Sequence, residues 1–208
     1  MFAYAGVPFE DYRINELPAH RAANPADRPE WNAIKSKLPF GVVPVLEVDG
    51  EYLGDTCAIA RYLAQPLGLS GANDWEEAEA DAIVTFILSS DFDFPFMEMI
   101  AEMEPERRKD AMERLKMRIP KVAETLEKLL EKNNSSPESK GFFIGSTPTI
   151  ADFFSVNFID VVETYIQPGL LNDFAVLQAH ARRIRDLPGI KEFIETHADL
   201  ADFGKIIS

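Results

Sequence analysis

The sequence has little of what several classes of protein require. Its 208 residues contain a single cysteine, Cys57, which excludes an internal disulfide framework and fits a reducing compartment. No apolar run reaches the length of a transmembrane helix, and the opening stretch MFAYAGVPFEDYRI lacks the basic and long apolar regions of a signal peptide. We therefore expect a cytoplasmic protein that does not have a membrane as its partner.

Positive charge and metal-ligand patterns are also scarce. The 21 lysines and arginines are outnumbered by 35 aspartates and glutamates, so the formal net charge is -14. This charge argues against nucleic acid or an anionic membrane as the main partner. The histidines at 20, 180 and 197 are scattered without the spacing of metal ligands, so we predict no metal site and assign them no role.

Strand-like patterns occur in the first third of the chain. An alternating run at 7–14 (VPFEDYRI) and a compact β-rich run at 43–48 (VPVLEV) are predicted as strands. Asp49-Gly50 is a hairpin turn signal, and the returning strand begins at 52–53. A polar loop at 68–74 (GLSGAND) follows and marks a candidate domain boundary.

The remaining patterns are helical. A short helix or turn is predicted at 31–37, and a helix begins near Thr56, with Ile59, Tyr62 and Leu63 on one face. Beyond the loop, helices are predicted at 75–103, 105–133, 149–165, 173–187 and 190–196, with Pro95 and Pro120 as points of bending. The layout is an α/β unit at 1–68 followed by an all-helical unit at 75–208.

Two motifs carry a family resemblance. PFGVVPVLEVDG at 39–50, followed by AIARYLA at 58–64, resembles the N-terminal domain of cytosolic glutathione transferases, most closely the sigma class and its nematode relatives. Far downstream, GSTPTIADF at 145–153 resembles a helix-capping motif of the same family. The resemblance implies a thioredoxin-like domain followed by an all-helical domain, glutathione as co-substrate, small apolar electrophiles as second substrates, and a homodimer.

The resemblance also implies how the middle of a glutathione molecule is held. Val43–Pro44 would be a cis-proline bond that presents the Val43 backbone to the cysteinyl unit. The alternative is a trans proline at the start of an edge strand. Asp55 and Thr56 would receive the γ-glutamyl end at the start of a helix, where the family has a Gln/Glu-Ser pair. The alternative is that either residue simply caps that helix.

Three further features have both a ligand-binding and a structural interpretation. Trp31 and Lys35, four residues apart, match the pair that binds the glycyl carboxylate in the family, whereas packing is the alternative. Thr149 and Asp152 fit a capping box and are expected to serve folding, not chemistry. Cys57 stands at a helix start, where a thiol can be reactive, but we expect a small buried residue.

The sequence supplies no catalytic residue. Met1 to Tyr4 aligns with the end of the family's first helix, so we expect the chain as given to lack the family's first strand and its catalytic tyrosine. Tyr4 lies past the place of that tyrosine. Because activation of glutathione needs a donor aimed at its sulfur, we predict that a bound thiol keeps a near-ordinary pKa and that binding is weakened.

Two functions stay open. The first is a sigma-like glutathione transferase that conjugates glutathione to electrophiles or isomerises lipid peroxides, inactive if the chain is truncated. The alternative is a non-catalytic ligand-binding or structural protein of the same fold. In that case a groove between the domains would hold apolar ligands, lined by side chains of the helix that begins at Trp75. The alternative is that these side chains belong to the helical core: Phe86, Phe92, Phe94, Phe96, Met97 and Met99.

Overall fold

The computed structural model of the protein describes residues 1–14, 28–89 and 104–197. The regular elements of these residues are, in chain order, α1 (Phe2–Ala5), α2 (Pro29–Lys35), β1 (Val45–Val48), β2 (Glu51–Gly54), α3 (Thr56–Ala64), α4 (Asp74–Ser89), α5 (Pro105–Asn134), α6 (Ile150–Val161), a π-helical turn (Val162–Ile166), α7 (Ala175–Arg185) and α8 (Ile190–Thr196). None of the helices described is long and apolar enough to cross a membrane.

The predicted hairpin is formed by β1 and β2, which pair antiparallel from Val45 opposite Gly54 down to the turn. Asp49 and Gly50 both have positive φ, at 52° and 87°, which is the geometry that two-residue hairpin turns favour. The Gly50 N–H also donates a 2.5 Å hydrogen bond to the Glu47 carboxylate. Local turn chemistry therefore sets the strand register.

The strand predicted at 7–14 does not form, so this prediction was wrong. The segment has no regular secondary structure, and most of its side chains are exposed. The sheet of the described residues holds β1 and β2 alone, so nothing there provides the backbone ladder that a strand at 7–14 needs. Side chains hold the segment instead: Phe9 stacks on Phe2 with ring centres 5.1 Å apart, and the Tyr12 hydroxyl donates to Glu30 on α2 at 2.9 Å.

The helical unit is organised around α5, the longest helix described. One stripe of α5, spaced at three and four residues, is buried and consists of Ala111, Leu115, Ile119, Val122, Ala123, Leu126 and Leu130. Leu129, which the sequence pattern also assigns to this stripe, is partly buried. The helix runs continuously through Pro120. Burying each of the larger side chains contributes about 1.5–3 kcal/mol, so the stripe is the main apolar support of the bundle.

A side chain of α5 also completes the start of α7. The Glu127 carboxylate accepts hydrogen bonds from the backbone N–H groups of Val176 at 2.7 Å and Leu177 at 3.3 Å. Phe174, which precedes the helix, offers no side-chain cap of its own. Since the first N–H groups of a helix have no partner within it, a neighbouring helix supplies one here.

The two parts of the chain meet at the predicted boundary loop. Leu69, within that loop, is fully buried, and its carbonyl accepts a 3.0 Å hydrogen bond from the Ile150 N–H at the start of α6. On the same side, α3 buries Ala60, Leu63 and Ala64. Of the three residues predicted on one face of α3, Leu63 is buried, Ile59 is partly buried and Tyr62 is 54% exposed. The division into units at 1–68 and 75–208 stays a prediction.

The predicted helices of the second unit are confirmed where the structure describes them. α5, α6 with its π-helical turn, α7 and α8 match the four predictions from residue 105 onward within two residues at most ends. α4 begins at Asp74 and is described as far as Ser89. The predicted bend at Pro95, and the groove residues Phe92, Phe94, Phe96, Met97 and Met99, lie outside the described residues. Phe86 packs partly buried against the core, as the core interpretation predicts.

Candidate functional site

The loop from 39 to 43 joins the two ends of the predicted site. A side chain added at Gly41 would lie 3.5 Å from Cε of Lys35, so the lysine stem runs beside this loop. At the other end, a side chain added at Gly54 would lie 3.0 Å from Cδ2 of Phe40. The loop therefore contacts α2 on one side and the junction of β2 with α3 on the other. We call this region, α2 with residues 39–43 and the start of α3, the α2–α3 surface.

The Val43–Pro44 peptide bond is cis, as the resemblance implies. Val43 is 42% exposed and stands just before β1. In the described part of the chain no strand pairs with the second edge of β1. An extended peptide is the kind of ligand that such an edge can pair with.

Trp31 and Lys35 lie close together on α2 but differ in exposure. Trp31 is 7% exposed, whereas Lys35 reaches solvent with its Nζ 5.9 Å from the centre of the indole ring. The packing alternative therefore holds for most of the tryptophan. The lysine presents its ammonium at the surface, where it is available to a carboxylate and is supported by the aromatic face beneath.

Asp55 caps α3, as one of the two interpretations predicts. Its Oδ1 accepts the Ala58 N–H at 2.8 Å, and its backbone has a positive φ of 79°. Thr56, the first residue of α3, is exposed. A helix start carries a partial positive charge, so Thr56 and the α3 dipole offer a hydroxyl and a favourable field for an anionic group. The second oxygen of Asp55 can accept from a cation.

A buried polar cluster lies in the helical unit, around the predicted capping pair. Asp152 is fully buried and accepts hydrogen bonds from the Thr149 N–H at 2.7 Å, the Phe143 N–H at 3.0 Å and the Thr149 hydroxyl at 3.2 Å. The capping prediction is confirmed. Burial raises the pKa of Asp152 to about 6, although the hydrogen bonds oppose that rise.

His180, to which the sequence assigns no role, belongs to the same cluster. Its Nδ1 lies 3.0 Å from the Gly141 carbonyl, and its Nε2 lies 3.1 Å from Oγ of Ser155 and 3.5 Å from Oδ1 of Asp152. Burial, assisted by the charge of Arg183, lowers the pKa of His180 to about 4. The histidine is therefore neutral at pH 7. The spacing of Leu177, His180, Ala181 and Ile184 on α7 was the signal that it is buried.

This cluster resembles a catalytic triad in composition but not in arrangement. The serine and the aspartate both approach the same ring nitrogen of His180, whereas a triad needs them on opposite nitrogens. All three side chains are buried at 1% exposure or less, so a substrate has no access to Ser155. The cluster is structural.

The remaining candidate residues have packing roles. Tyr4 packs edge-on against Phe153 of α6, with ring centres 5.9 Å apart. Cys57 is partly buried against the core, close to what the sequence predicts. Among residues 1–14, 28–89 and 104–197, no group of three or more histidine, cysteine, aspartate or glutamate side chains is placed to hold a metal ion.

Comparisons with known proteins cover nearly the whole chain. The family model described as "Glutathione S-transferase, N-terminal domain" matches residues 1–65, and that described as "Glutathione S-transferase, C-terminal domain" matches residues 90–197. A glutathione S-transferase of Anopheles gambiae is 31% identical over 195 residues, which cover 93% of this chain and 86% of the relative.

Two further relatives are prostaglandin D synthases by name. The hematopoietic prostaglandin D synthase of Gallus gallus is 33% identical over 198 residues, which cover 94% of this chain and 86% of the relative. The solved structure of prostaglandin synthase D of Nilaparvata lugens superposes with a TM-score of 0.77 at 28% identity. That superposition covers 94% of this chain and 88% of the other.

Proposed function

Because this chain belongs to the glutathione S-transferase family, we propose that it binds glutathione at the α2–α3 surface and conjugates it, through its deprotonated sulfur, to small apolar electrophiles. The small sheet unit and the helical unit are the thioredoxin-like and all-helical domains of that fold. Glutathione is the co-substrate of the family. The observation that carries the proposal is the contact of the 39–43 loop with both Lys35 and Gly54, the last residue of β2, two residues before α3 begins.

The charges of the α2–α3 surface suit the charges of glutathione. The tripeptide carries a carboxylate at each end and an ammonium beside its γ-glutamyl carboxylate. Lys35 is proposed to take the glycyl carboxylate, with Trp31 supporting the lysine from the buried side. Thr56 and the α3 dipole are proposed to take the γ-glutamyl carboxylate, and the free oxygen of Asp55 its ammonium.

The middle of the tripeptide is proposed to pair with backbone. An extended cysteinyl unit beside Val43 would extend the β1 edge and satisfy groups that β2 leaves unpaired. Pro44 has no N–H to donate, so the pairing groups there are those of Val43. Each neutral backbone hydrogen bond of this kind contributes about 0.5–1.5 kcal/mol.

Calorimetric titration of the purified protein with glutathione tests this proposal. In Lys35→Met the stem beside Gly41 is retained and the charge is removed, so we expect binding to weaken about tenfold, equivalent to about 1.4 kcal/mol. Lys37→Met is the matched control, since Lys37 is also exposed after α2 but carries no proposed contact. We expect that control to change affinity less than twofold. Equal affinities of Lys35→Met and the unaltered protein would refute the site.

The chemistry at sulfur has two candidate outcomes. Conjugation to a generic electrophile follows from family membership, whereas isomerisation of a lipid peroxide is suggested by the two prostaglandin synthase relatives. No described residue is assigned to the sulfur, so bound glutathione is proposed to keep a near-ordinary thiol pKa and the chain to conjugate slowly. The alternative of a non-catalytic ligand-binding protein would give the same binding with no turnover.

We further propose that the protein is a sigma-like, cytoplasmic homodimer that serves detoxification. The single, partly buried Cys57 fits a reducing compartment. Trp75, at the start of α4, is 72% exposed, and tryptophan is enriched in the centres of protein interfaces. A two-fold dimer is the commonest closed assembly, and α4 is proposed to face the first unit of the partner chain.

A further inference from the structure

A second cleft lies between the start of the chain and α8, apart from the α2–α3 surface. It has a volume of roughly 460 Å³, within the range of small-molecule sites. Its walls include Val7, Phe9, Asp11, Glu192, Phe193 and His197. None of the residues proposed to hold glutathione lines it, so any ligand of this cleft would be bound independently of that site.

Aromatic rings form one wall of the cleft. The Phe9 and Phe193 ring centres lie 6.0 Å apart, and Phe193 stacks on the His197 ring at 4.2 Å. Phe2 stacks behind Phe9 at 5.1 Å. Phe9 nevertheless keeps 44% of its surface exposed. These spacings leave no room for a ligand between the rings, so a flat ligand would lie against their outer faces and edges.

The floor of the cleft is a direct contact between two backbone segments. A side chain added at Gly189 would lie 2.2 Å from the Ala3 carbonyl oxygen, and Gly189 has a positive φ of 79°. Glycine therefore allows α1 and the start of α8 to approach more closely than any other residue would. This contact fixes the distance between the two walls, so the cleft is formed before a ligand binds.

The polar groups of the cleft carry negative charge. Both contacts of Arg13 with Asp11 fall on Oδ2, and the Gly189 N–H donates to Oε2 of Glu192. The second oxygen of each carboxylate can therefore accept from a ligand. Arg13 offsets part of the charge at Asp11, but exposed pairs of this kind are weak. Among the described residues that line the cleft there is neither a lysine nor an arginine, and the net charge of -14 adds a field that favours cations.

We propose that this cleft binds a small planar organic cation with an aromatic ring system. The exposed part of the Phe9 face would stack on the ligand rings and attract its charge through the ring quadrupole, while Phe193 and His197 border the ligand. Asp11 and Glu192 would hold the positive end at the rim. An aromatic anion of similar size would gain the stacking but lose the electrostatic attraction, so the site discriminates by charge.

Thioflavin T, a planar aromatic cation, and 8-anilinonaphthalene-1-sulfonate, an aromatic anion, are suitable opposed probes. We expect calorimetric titration of the full chain to show one thioflavin T per chain and at least tenfold weaker binding of the anion. Saturating glutathione should leave thioflavin T binding unchanged, because the two sites share no residue. Displacement by glutathione, or preference for the anion, would overturn the proposal.

Variants separate charge from packing at the cleft. The double variant Asp11→Asn with Glu192→Gln keeps the size of both side chains and an acceptor oxygen on each, but removes both negative charges. We expect its thioflavin T binding to be at least tenfold weaker. Glu195→Gln, an exposed residue of α8 outside the cleft, should change binding less than twofold. Phe9→Ala should also weaken binding, with Ile194→Ala, 46% exposed on α8, as its control. Unchanged binding in the double variant contradicts the proposal even if Phe9→Ala fails to fold.

Discussion

Two buried titratable residues, Asp152 and His180, have pKa values displaced in opposite directions. The folded pKa of Asp152, about 6, lies above its ordinary value, so the folded state binds a proton more tightly than the unfolded state. This aspartate therefore adds stability as pH falls through about 6 toward 4. The folded pKa of His180, about 4, lies below its ordinary value. The histidine therefore removes stability as pH falls from about 6.5 toward 4.

Replacing His180 with asparagine should expose the contribution of Asp152. We expect His180→Asn to lose about 1–3 kcal/mol of unfolding free energy at pH 7, because the Gly141 and Ser155 contacts are disturbed. Between pH 6.5 and 4.5, however, the variant should lose less stability than the unaltered protein. Urea denaturation at several pH values measures both quantities, with the exposed His197→Asn as control. Parallel pH profiles for the variant and the unaltered protein would show that His180 does not carry the acid sensitivity.

At the level of elements, the cap that α5 supplies to α7 gives a sharp prediction. Glu127→Ala removes the acceptor of the Val176 and Leu177 N–H groups, and the loss of a helix cap costs about 1–2 kcal/mol. We expect Glu127→Gln, which keeps an oxygen but no charge, to cost less than Glu127→Ala. Glu131→Ala, one turn further along α5 and exposed, should stay within about 0.5 kcal/mol. Urea denaturation of the three variants checks the order, and equal losses for the two alanine variants would contradict it.

Elements set by local chemistry were predictable from the sequence. The Asp49-Gly50 turn fixed the hairpin, and the helical spacing of α5 fixed its buried stripe. The segment at 7–14 was predicted wrongly, because alternation describes a strand that has a neighbour to pair with and the described residues provide none. The cap from Glu127 was missed for a related reason, since it depends on a partner 49 residues away.

The candidate site shows the same division between local and distant causes. The grouping of Lys35, Val43 and Thr56 into one binding site stays a prediction of motif spacing, whereas the capping role of Asp55 was one of the predicted alternatives and is present. The burial of Trp31 could not be read from its spacing to Lys35, because it depends on what packs under α2. The structural role of His180 in the buried polar cluster was missed, because its hydrogen-bond partners, Gly141 and Ser155, lie in other segments of the chain.

At the level of the whole molecule, the proposed homodimer has a direct measurement. Light scattering should give twice the 23.3 kDa mass of one chain. Trp75→Glu places a charge where the proposed interface needs an apolar ring, so we expect it to shift the population toward single chains. Met117→Glu, at a 67% exposed position of α5, is the control and should leave the mass unchanged. A mass of one chain for the unaltered protein would disprove the dimer.

The hydrogen bond from Ile150 to Leu69 has a consequence for how this protein tolerates sequence drift. Both of its groups belong to the main chain, so no change of side chain can remove the donor except proline at 150. Substitutions of side chains on α3 and α6 therefore leave this contact between the boundary loop and the start of α6 in place. Ligand-binding surfaces can therefore change in sequence without loss of this contact, because main-chain groups alone form it.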